Sequence, residues 1–200
     1  MNDHYFTPNP SARSDERLHS YQALGRTFDA YTDTGVFSKQ GLDEGSALLL
    51  ESLPKFTGRV LDLGCGWGAM GMALAAANPL ARFILSDVNE RAVALCRKNL
   101  LANGIANAEA VVSDGLERVE GAFDAIVTNP PIRAGKHLIY RLFEEAYGRL
   151  NPGGALYIVI RKQQGAPSAG KFLERLSGDV QRIARDKGYW VLKCGKGEAQ

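Results

Sequence analysis

The sequence predicts an α/β fold in which helices cover both faces of a mainly parallel sheet. From Gly58 onward, short apolar runs typical of buried strands alternate with longer helical stretches, a pattern that favours a doubly wound sheet. The first of these runs leads directly into a glycine-rich loop, where a doubly wound fold binds a nucleotide. Only residues 185–188 separate the last two runs, too few for a crossover helix, so we expect an antiparallel hairpin there.

The elements can be placed in order along the chain. Aromatic residues, polar residues and glycines before Pro54 predict a short β-hairpin and then a helix from about Asp43 to Leu53. We expect strands at Arg59–Leu63, Arg82–Ser86, Ala108–Val112, Phe123–Thr128, Ala155–Ile160, Val180–Ala184 and Tyr189–Cys194. We expect helices at Ala69–Ala77, Glu90–Asn103, Leu138–Leu150 and Ala169–Leu176, the second closed by Asn103-Gly104 and the third by Asn151-Pro152-Gly153-Gly154. The chain is thereby divided into an N-terminal extension, residues 1–56, and a main domain, residues 57–200.

Composition narrows the class of protein. The 200 residues are 45% hydrophobic and 23% charged, which is typical of one globular domain with a short added element. A net charge of +2 excludes a uniformly basic coat for nucleic acid but allows a local basic face. The three cysteines form no CxxC pair, and we expect neither disulfides nor a metal site. Residues 1–20 are polar and no apolar run approaches a membrane span, so we expect a soluble cytoplasmic protein.

The glycine-rich loop, residues 64–69, is the first candidate binding element. Gly64 and Gly66 let the backbone approach a ligand and leave the next helix N-terminus open. The loop also satisfies the dinucleotide pattern G-x-G-x-x-A, so an NAD-dependent oxidoreductase is one alternative. Asp62 favours another, because a carboxylate repels a pyrophosphate but attracts the ammonium group of S-adenosylmethionine.

Two further carboxylates follow the next two strands. Asp87 lies about 20 residues beyond the loop, where an acid can accept both ribose hydroxyls of either cofactor. Asp114 could accept a hydrogen bond from an adenine amino group. The alternative for Asp114 is a solvated turn acid beside Gly115.

A second candidate element is the turn Asn129-Pro130-Pro131-Ile132, which follows the fourth strand. The prolines fix φ near roughly −65° and hold their carbonyls in place. The Asn129 side-chain oxygen and the Pro130 carbonyl can then form a rigid pair of acceptors for one incoming NH2 group. The turn therefore indicates chemistry on an amino nitrogen, the alternative being a strand that simply ends in a stiff turn.

The combination of D-x-G-x-G after the first strand and N-P-P after the fourth resembles class I S-adenosylmethionine-dependent methyltransferases that modify amino nitrogens. Five segments are similar to the small-subunit ribosomal RNA guanine-N2 methyltransferase family, especially its short single-domain bacterial members. These segments are residues 35–38 (GVFS), 61–66 (LDLGCG), 86–89 (SDVN), 129–136 (NPPIRAGK) and 165–168 (GAPS). The resemblance implies a Rossmann-like methyltransferase fold with a seven-stranded, mostly parallel sheet.

The resemblance also implies a cofactor, a substrate and a set of site residues. The cofactor is S-adenosylmethionine, the target is guanine N2, and the partner is ribosomal RNA or a small-subunit particle, with no metal and the oligomeric state left open. We assign the cofactor site to Phe37, Asp62, Gly64, Cys65, Gly66, Asp87, Val88, Asp114 and Asn129. We assign the target amine to Asn129, Pro130, Pro131 and Ile132.

The sequence departs from the family pattern in two respects. The larger family members have an additional N-terminal methyltransferase-like half that this chain lacks, so we expect RNA recognition to be smaller or supplied differently. The residue after N-P-P is often aromatic, whereas Ile132 offers less stacking on a base. Phe37 could stack instead, or it could be an ordinary core aromatic.

Basic residues lie near the acceptor turn. Arg133 and Lys136 flank it, while Arg161 and Lys162 follow the fifth strand on the same edge of the sheet. We expect them to hold RNA phosphates, the alternative being ordinary solvated charges. At the predicted helix start, His137 suits a capping or surface role better than a catalytic one. Methylation of adenine or glutamine, which Ile132 disfavours, and a noncatalytic cofactor- or RNA-binding module are the remaining alternatives.

Overall fold

A computed structural model describes residues 13–38 and 41–198 of the protein. The seven strands of its main sheet are β3 (Arg59–Leu63), β4 (Arg82–Asp87), β5 (Ala108–Val112), β6 (Phe123–Thr128), β7 (Leu150–Arg161), β8 (Val180–Asp186) and β9 (Tyr189–Gly195). Their order across the sheet is β5-β4-β3-β6-β7-β9-β8. Strands β3 to β7 pair in parallel and β9 is antiparallel to both β7 and β8. The predicted α/β fold and its C-terminal antiparallel hairpin are confirmed.

Five α-helices accompany these strands in the described residues. They are α1 (Glu44–Ser52), α2 (Ala69–Ala77), α3 (Glu90–Ala102), α4 (Lys136–Gly148) and α5 (Ala166–Ser177). Helix α5 begins three residues earlier than the sequence predicts, because Pro167 is compatible with the first turn of a helix. None of the helices in residues 13–38 and 41–198 has the length and apolar character needed to cross a bilayer.

The expectation that residues 151–154 form a turn between α4 and the next strand is wrong. Helix α4 ends at Gly148, and β7 begins at Leu150 and contains these residues. Leu150 pairs with Phe123 and Ala155 with Ala125, so the four residues between them face only Asp124. Turn-forming residues here form a large bulge within a strand.

The N-terminal part forms the predicted hairpin, from β1 (Arg17–Ala23) and β2 (Arg26–Thr32). Tyr21 stacks on Phe28 with ring centroids 5.3 Å apart and meets Trp67 edge-on at 5.2 Å. The Tyr21 hydroxyl donates to the Ala69 carbonyl at 2.8 Å. Because Tyr21 contacts Trp67 and Ala69, the hairpin packs against the loop that follows β3.

Candidate active site

A cavity of about 580 Å³ opens at the carboxyl ends of β3, β4 and β6. This volume lies within the range of small-molecule sites, and the position is where open α/β sheets bind ligands. Most of the residues assigned from the sequence line it: Phe37, Gly64, Cys65, Gly66, Asp87, Val88, Asp114, Asn129, Pro130, Pro131, Ile132, Arg133 and Arg161. Asp62, Lys136 and Lys162 do not.

The glycine loop has the geometry of a backbone cradle. Gly64 and Gly66 have φ values of 77° and 56°, and a side chain added at either would meet no atom within 4 Å, because both face open space. The N–H groups of Gly64 and Cys65 donate to the Ser86 carbonyl at 2.8 and 2.9 Å, which fixes the loop to the end of β4. The loop can therefore bring its backbone close to a ligand without a side chain intervening.

Asp87 ends β4 at the cavity wall. One carboxylate oxygen accepts from the Gly66 N–H at 2.8 Å and the other from the Asn89 N–H at 2.9 Å. Burial raises the pKa of Asp87, and these backbone hydrogen bonds oppose the rise. Beside it, the buried Ser86 hydroxyl has no hydrogen-bond partner in the described structure although the residue lines the cavity. A carboxylate at the end of this strand suits a ligand that carries ribose hydroxyls.

Asp62, expected to lie close to the cofactor, does not line the cavity. Its side chain is fully buried and points toward α2, where its Oδ2 lies beside Gly71. Burial raises the pKa of Asp62 to about 7. The Gly71 N–H opposes this rise, but it does not reach hydrogen-bond geometry with either carboxylate oxygen. Asp62 therefore lies behind the glycine loop, and its role in holding the cofactor stays a prediction.

Asp114 lines the cavity and is ion-paired. Its Oδ1 lies 2.8 Å from Arg141 Nη2, and Arg141 Nη1 lies 3.0 Å from Glu145 Oε1. Asp114 is an exposed acid after β5 whose carboxylate is paired with a helix α4 side chain. Its contact with an adenine stays a prediction. Sequence reasoning did not point to Arg141, because the pairing depends on where α4 lies relative to the turn after β5.

The acceptor turn is anchored at both ends. The Thr128 hydroxyl donates to the Leu63 carbonyl at 2.8 Å, which ties the end of β6 to the end of β3. The Ala134 N–H donates to the Pro131 carbonyl at 2.8 Å and starts a short 3-10 helix, Ile132–Ala134. No donor within the described residues reaches the Pro130 carbonyl, which stays available to a ligand.

The side chain of Asn129 is held by the N-terminus of α1. Its Nδ2 lies 3.0 Å from Ser46 Oγ, and 3.3 and 3.2 Å from the Oδ1 and Oδ2 atoms of Asp43. With the NH2 group directed to α1, the amide oxygen is the part of Asn129 that can accept from a ligand. Sequence reasoning missed Asp43 and Ser46 as site residues; the one available signal was the capping pattern D-x-x-S at the helix start.

Aromatic residues form another part of the cavity wall. Phe37 is 42% exposed there, so the alternative of an ordinary core aromatic is wrong. The backbone of residues 35–38, here called the cover segment, is held down by two side chains of the cofactor loops. The Trp67 indole N–H donates to the carbonyls of Phe37 and Ser38 at 3.0 and 3.3 Å, and Asn89 Nδ2 donates to the Gly35 carbonyl at 2.9 Å. The sequence did not point to Tyr189, which also lines the cavity.

The four basic residues divide into two pairs. Arg133 and Arg161 line the cavity, and the Arg161 guanidinium lies 4.5 Å from the centre of the Tyr189 ring. Lys136 and Lys162 are exposed and do not line it. His137 is exposed in the first turn of α4, which agrees with a surface role. No group of three metal-ligating side chains occurs in residues 13–38 and 41–198.

The strand order, the glycine loop, the acid after β4 and the acceptor turn after β6 define a class I S-adenosylmethionine-dependent methyltransferase. The chain belongs to the methyltransferase small domain family, whose model matches residues 27–193. This confirms the cofactor as S-adenosylmethionine and removes the NAD alternative.

Three relatives give the comparison more detail. Ribosomal RNA small subunit methyltransferase C of Salmonella choleraesuis is 45% identical over 164 residues, which cover 80% of this chain and 47% of that protein. An uncharacterized Bacillus subtilis protein, YbxB, is 42% identical and covers 98% of this chain and 100% of its own length. The Thermus thermophilus 16S rRNA N2 G1207 methyltransferase, in complex with AdoMet and guanosine, has a TM-score of 0.82 at 31% identity and covers 94% of this chain and 52% of its own.

The resemblance to the small-subunit rRNA methyltransferases, inferred above from motifs, is confirmed. The chain spans about half the length of the rRNA methyltransferases that it matches.

Proposed function

We propose that this protein transfers the methyl group of S-adenosylmethionine to the exocyclic N2 nitrogen of a guanine in small-subunit ribosomal RNA. One observation carries the proposal: the Asn129 turn and the glycine loop with Asp87 border the same cavity. A methyl donor held by the loop and an amine held by the turn would therefore meet. Alignment of the methyl donor with the amine removes much of the activation barrier to methyl transfer, so the protein needs to add little further catalysis.

The residues of the chain have separate tasks in this reaction. When bound, S-adenosylmethionine supplies an electrophilic methyl group. Gly64, Gly66 and Asp87 would hold it. The Asn129 oxygen and the Pro130 carbonyl would accept the two hydrogens of the guanine amine, whose lone pair is otherwise delocalised into the ring. Their partial negative charges favour a more tetrahedral nitrogen and stabilise the positive charge that develops on it.

The substrate side of the cavity suits one extruded nucleotide. A base inside a helix cannot reach a buried methyl donor, so the target must leave its stack. Ile132, Phe37 and Tyr189 offer apolar and ring surfaces to a base, and Arg133 and Arg161 offer positive charge to its phosphates. That the Thermus relative was obtained with guanosine supports guanine as the base. With ribosomal RNA as substrate, the enzyme would work in the cytoplasm.

The test is a methyl-transfer assay with labelled cofactor on naked small-subunit rRNA and on small-subunit particles, followed by digestion to nucleosides. We expect label in N2-methylguanosine. Asn129→Ala should lower kcat about 10²- to 10³-fold, the loss typical of a transition-state hydrogen-bond partner, with cofactor affinity nearly unchanged. Asn151→Ala, in the bulge of β7, is the matched control and should keep full activity. Label in adenosine, or full activity of Asn129→Ala, would contradict the proposal.

A further inference from the structure

We propose that Asp43 and Ser46 are positioning residues that fix the side-chain amide of Asn129, so that its oxygen and not its nitrogen faces the cavity. This inference rests on the proposed function, in which the Asn129 oxygen accepts from the target amine. The two ends of an Asn side chain have nearly the same shape, and a free amide could present either. An enzyme that needs an acceptor at this point must prevent the flipped orientation.

The contacts of Asn129 Nδ2 are all with oxygen atoms. It lies 3.0 Å from Ser46 Oγ, 3.2 Å from Asp43 Oδ2 and 3.3 Å from Asp43 Oδ1. An ionised carboxylate can only accept hydrogen bonds. The Ser46 hydroxyl proton is already donated to Asp43 Oδ2 at 2.5 Å, so Ser46 Oγ can also only accept from Asn129. A flipped Asn129 would place its own oxygen against three acceptors.

The acceptor cluster is itself rigid. Asp43 is the N-cap of α1, and its Oδ1 accepts from the backbone N–H groups of Gly45 and Ser46 at 3.0 and 3.2 Å. The positive end of the helix dipole stabilises a negative charge at this position. Ser46 is only 4% exposed and cannot turn toward solvent. The helix start therefore fixes Asp43, Asp43 fixes the Ser46 hydroxyl, and both fix Asn129.

Helix capping alone does not explain the choice of Asp at position 43. Asn caps a helix about as well as Asp. The difference is that an Asn at this position would carry an NH2 group toward Asn129, and that donor would attract the Asn129 oxygen. Only an all-acceptor cap forces the Asn129 oxygen toward the cavity.

The test is a double-mutant cycle on Asp43 and Asn129, with methyl transfer as readout. Asp43→Asn keeps the cap and the volume but allows Asn129 to flip, so we expect kcat to fall about 10- to 100-fold. Asn129→Asp places two carboxylates face to face and should lose a similar factor. In the double variant Asp43→Asn/Asn129→Asp, the new amide donates to the new carboxylate, whose other oxygen faces the cavity. We expect kcat at least tenfold above either single variant.

Three measurements separate positioning from a merely structural role. Cofactor affinity and the urea midpoint should be nearly unchanged in Asp43→Asn, because the cap is retained. Ser46→Ala should lower kcat, whereas Ser52→Ala, which removes another hydroxyl from the same helix, should not. In the wild-type protein, NMR should detect a nuclear Overhauser effect between the Asn129 side-chain NH2 protons and the Ser46 β protons.

The outcomes distinguish this inference from the proposed function. Wild-type turnover by Asp43→Asn, a double variant no better than the singles, or absence of the Ser46 Overhauser effect would each overturn the positioning role. If the wild-type protein methylates neither RNA substrate, the proposed function fails, and the Overhauser effect alone then decides the orientation of Asn129.

Discussion

Asp62 makes the stability of the folded protein depend on pH in a direction opposite to that of most carboxylates. Burial raises its pKa from 3.8 to about 7, so the native state binds a proton that the unfolded chain has already released. The stabilisation is fully present at low pH and is lost as pH rises from about 4 to about 7. Replacing Asp62 with Asn removes the titrating group.

The expected magnitude follows from the pKa difference. The interval from 3.8 to about 7 corresponds to about 4 kcal/mol in the free energy of unfolding, because one pKa unit is about 1.4 kcal/mol. Between pH 4.5 and 7.5, the stability of Asp62→Asn relative to wild type should therefore rise by about 3 kcal/mol. The raised pKa fixes the sign of this change, whatever the difference in free energy of unfolding between the two proteins at acidic pH.

Urea unfolding of both proteins at pH 4.5, 5.5, 6.5 and 7.5, without cofactor and followed by circular dichroism, measures this difference directly. Glu109→Gln, which alters an exposed carboxylate in β5 and leaves Asp62 in place, is the control variant. Parallel curves of stability against pH for wild type and Asp62→Asn would mean that the pKa of the buried carboxyl is not raised.

Three other perturbations address separate parts of the site. Gly64→Ala forces a left-handed backbone on Ala and puts a methyl group into the cavity, so the cofactor Kd should rise about tenfold in calorimetry. Gly104→Ala, also at positive φ but away from the cavity, should leave the cofactor Kd unchanged. Arg133→Ala should weaken RNA binding and reduce the slope of the logarithm of the binding constant against the logarithm of salt concentration by about 0.7 to 0.9. The same loss from Arg82→Ala, at the opposite edge of the sheet, would argue against a local phosphate contact. Trp67→Phe removes the indole donor to the cover segment and should lower the free energy of unfolding by about 1 to 3 kcal/mol in urea titrations. An unchanged free energy of unfolding would contradict the anchoring role of Trp67.

Much of the sheet follows from local pattern. The bounds of β3, β5, β6 and α2 match the predicted ones, because each is a mainly apolar segment between clear breakers. Residues 151–154 mislead for a physical reason: Asn, Pro and Gly indicate a turn, but they do not indicate whether the turn lies between two elements or bulges out of one strand.

The part of the candidate site that a single loop forms, the glycine loop, could be predicted from the sequence. Gly64 and Gly66 have positive φ at the end of β3, as a glycine cradle requires. What could not be predicted are pairings that depend on tertiary packing, such as Asn129 with Asp43, 86 residues away. The direction of the Asp62 side chain toward α2 belongs to the same class, because alternation along a strand does not reveal which helix covers a given side chain.

The cover segment connects the two halves of the cavity through the backbone. Its carbonyls are held by Trp67 and Asn89, from the two loops assigned to the cofactor. At its other end, Ser38 exchanges hydrogen bonds with Gly41, two residues before Asp43, which holds Asn129. A series of contacts therefore runs from the cofactor loops to Gly41, close to the residue that holds Asn129. If the cofactor raises the affinity for the base through this path, thermodynamic linkage requires the base to raise the affinity for the cofactor by the same factor.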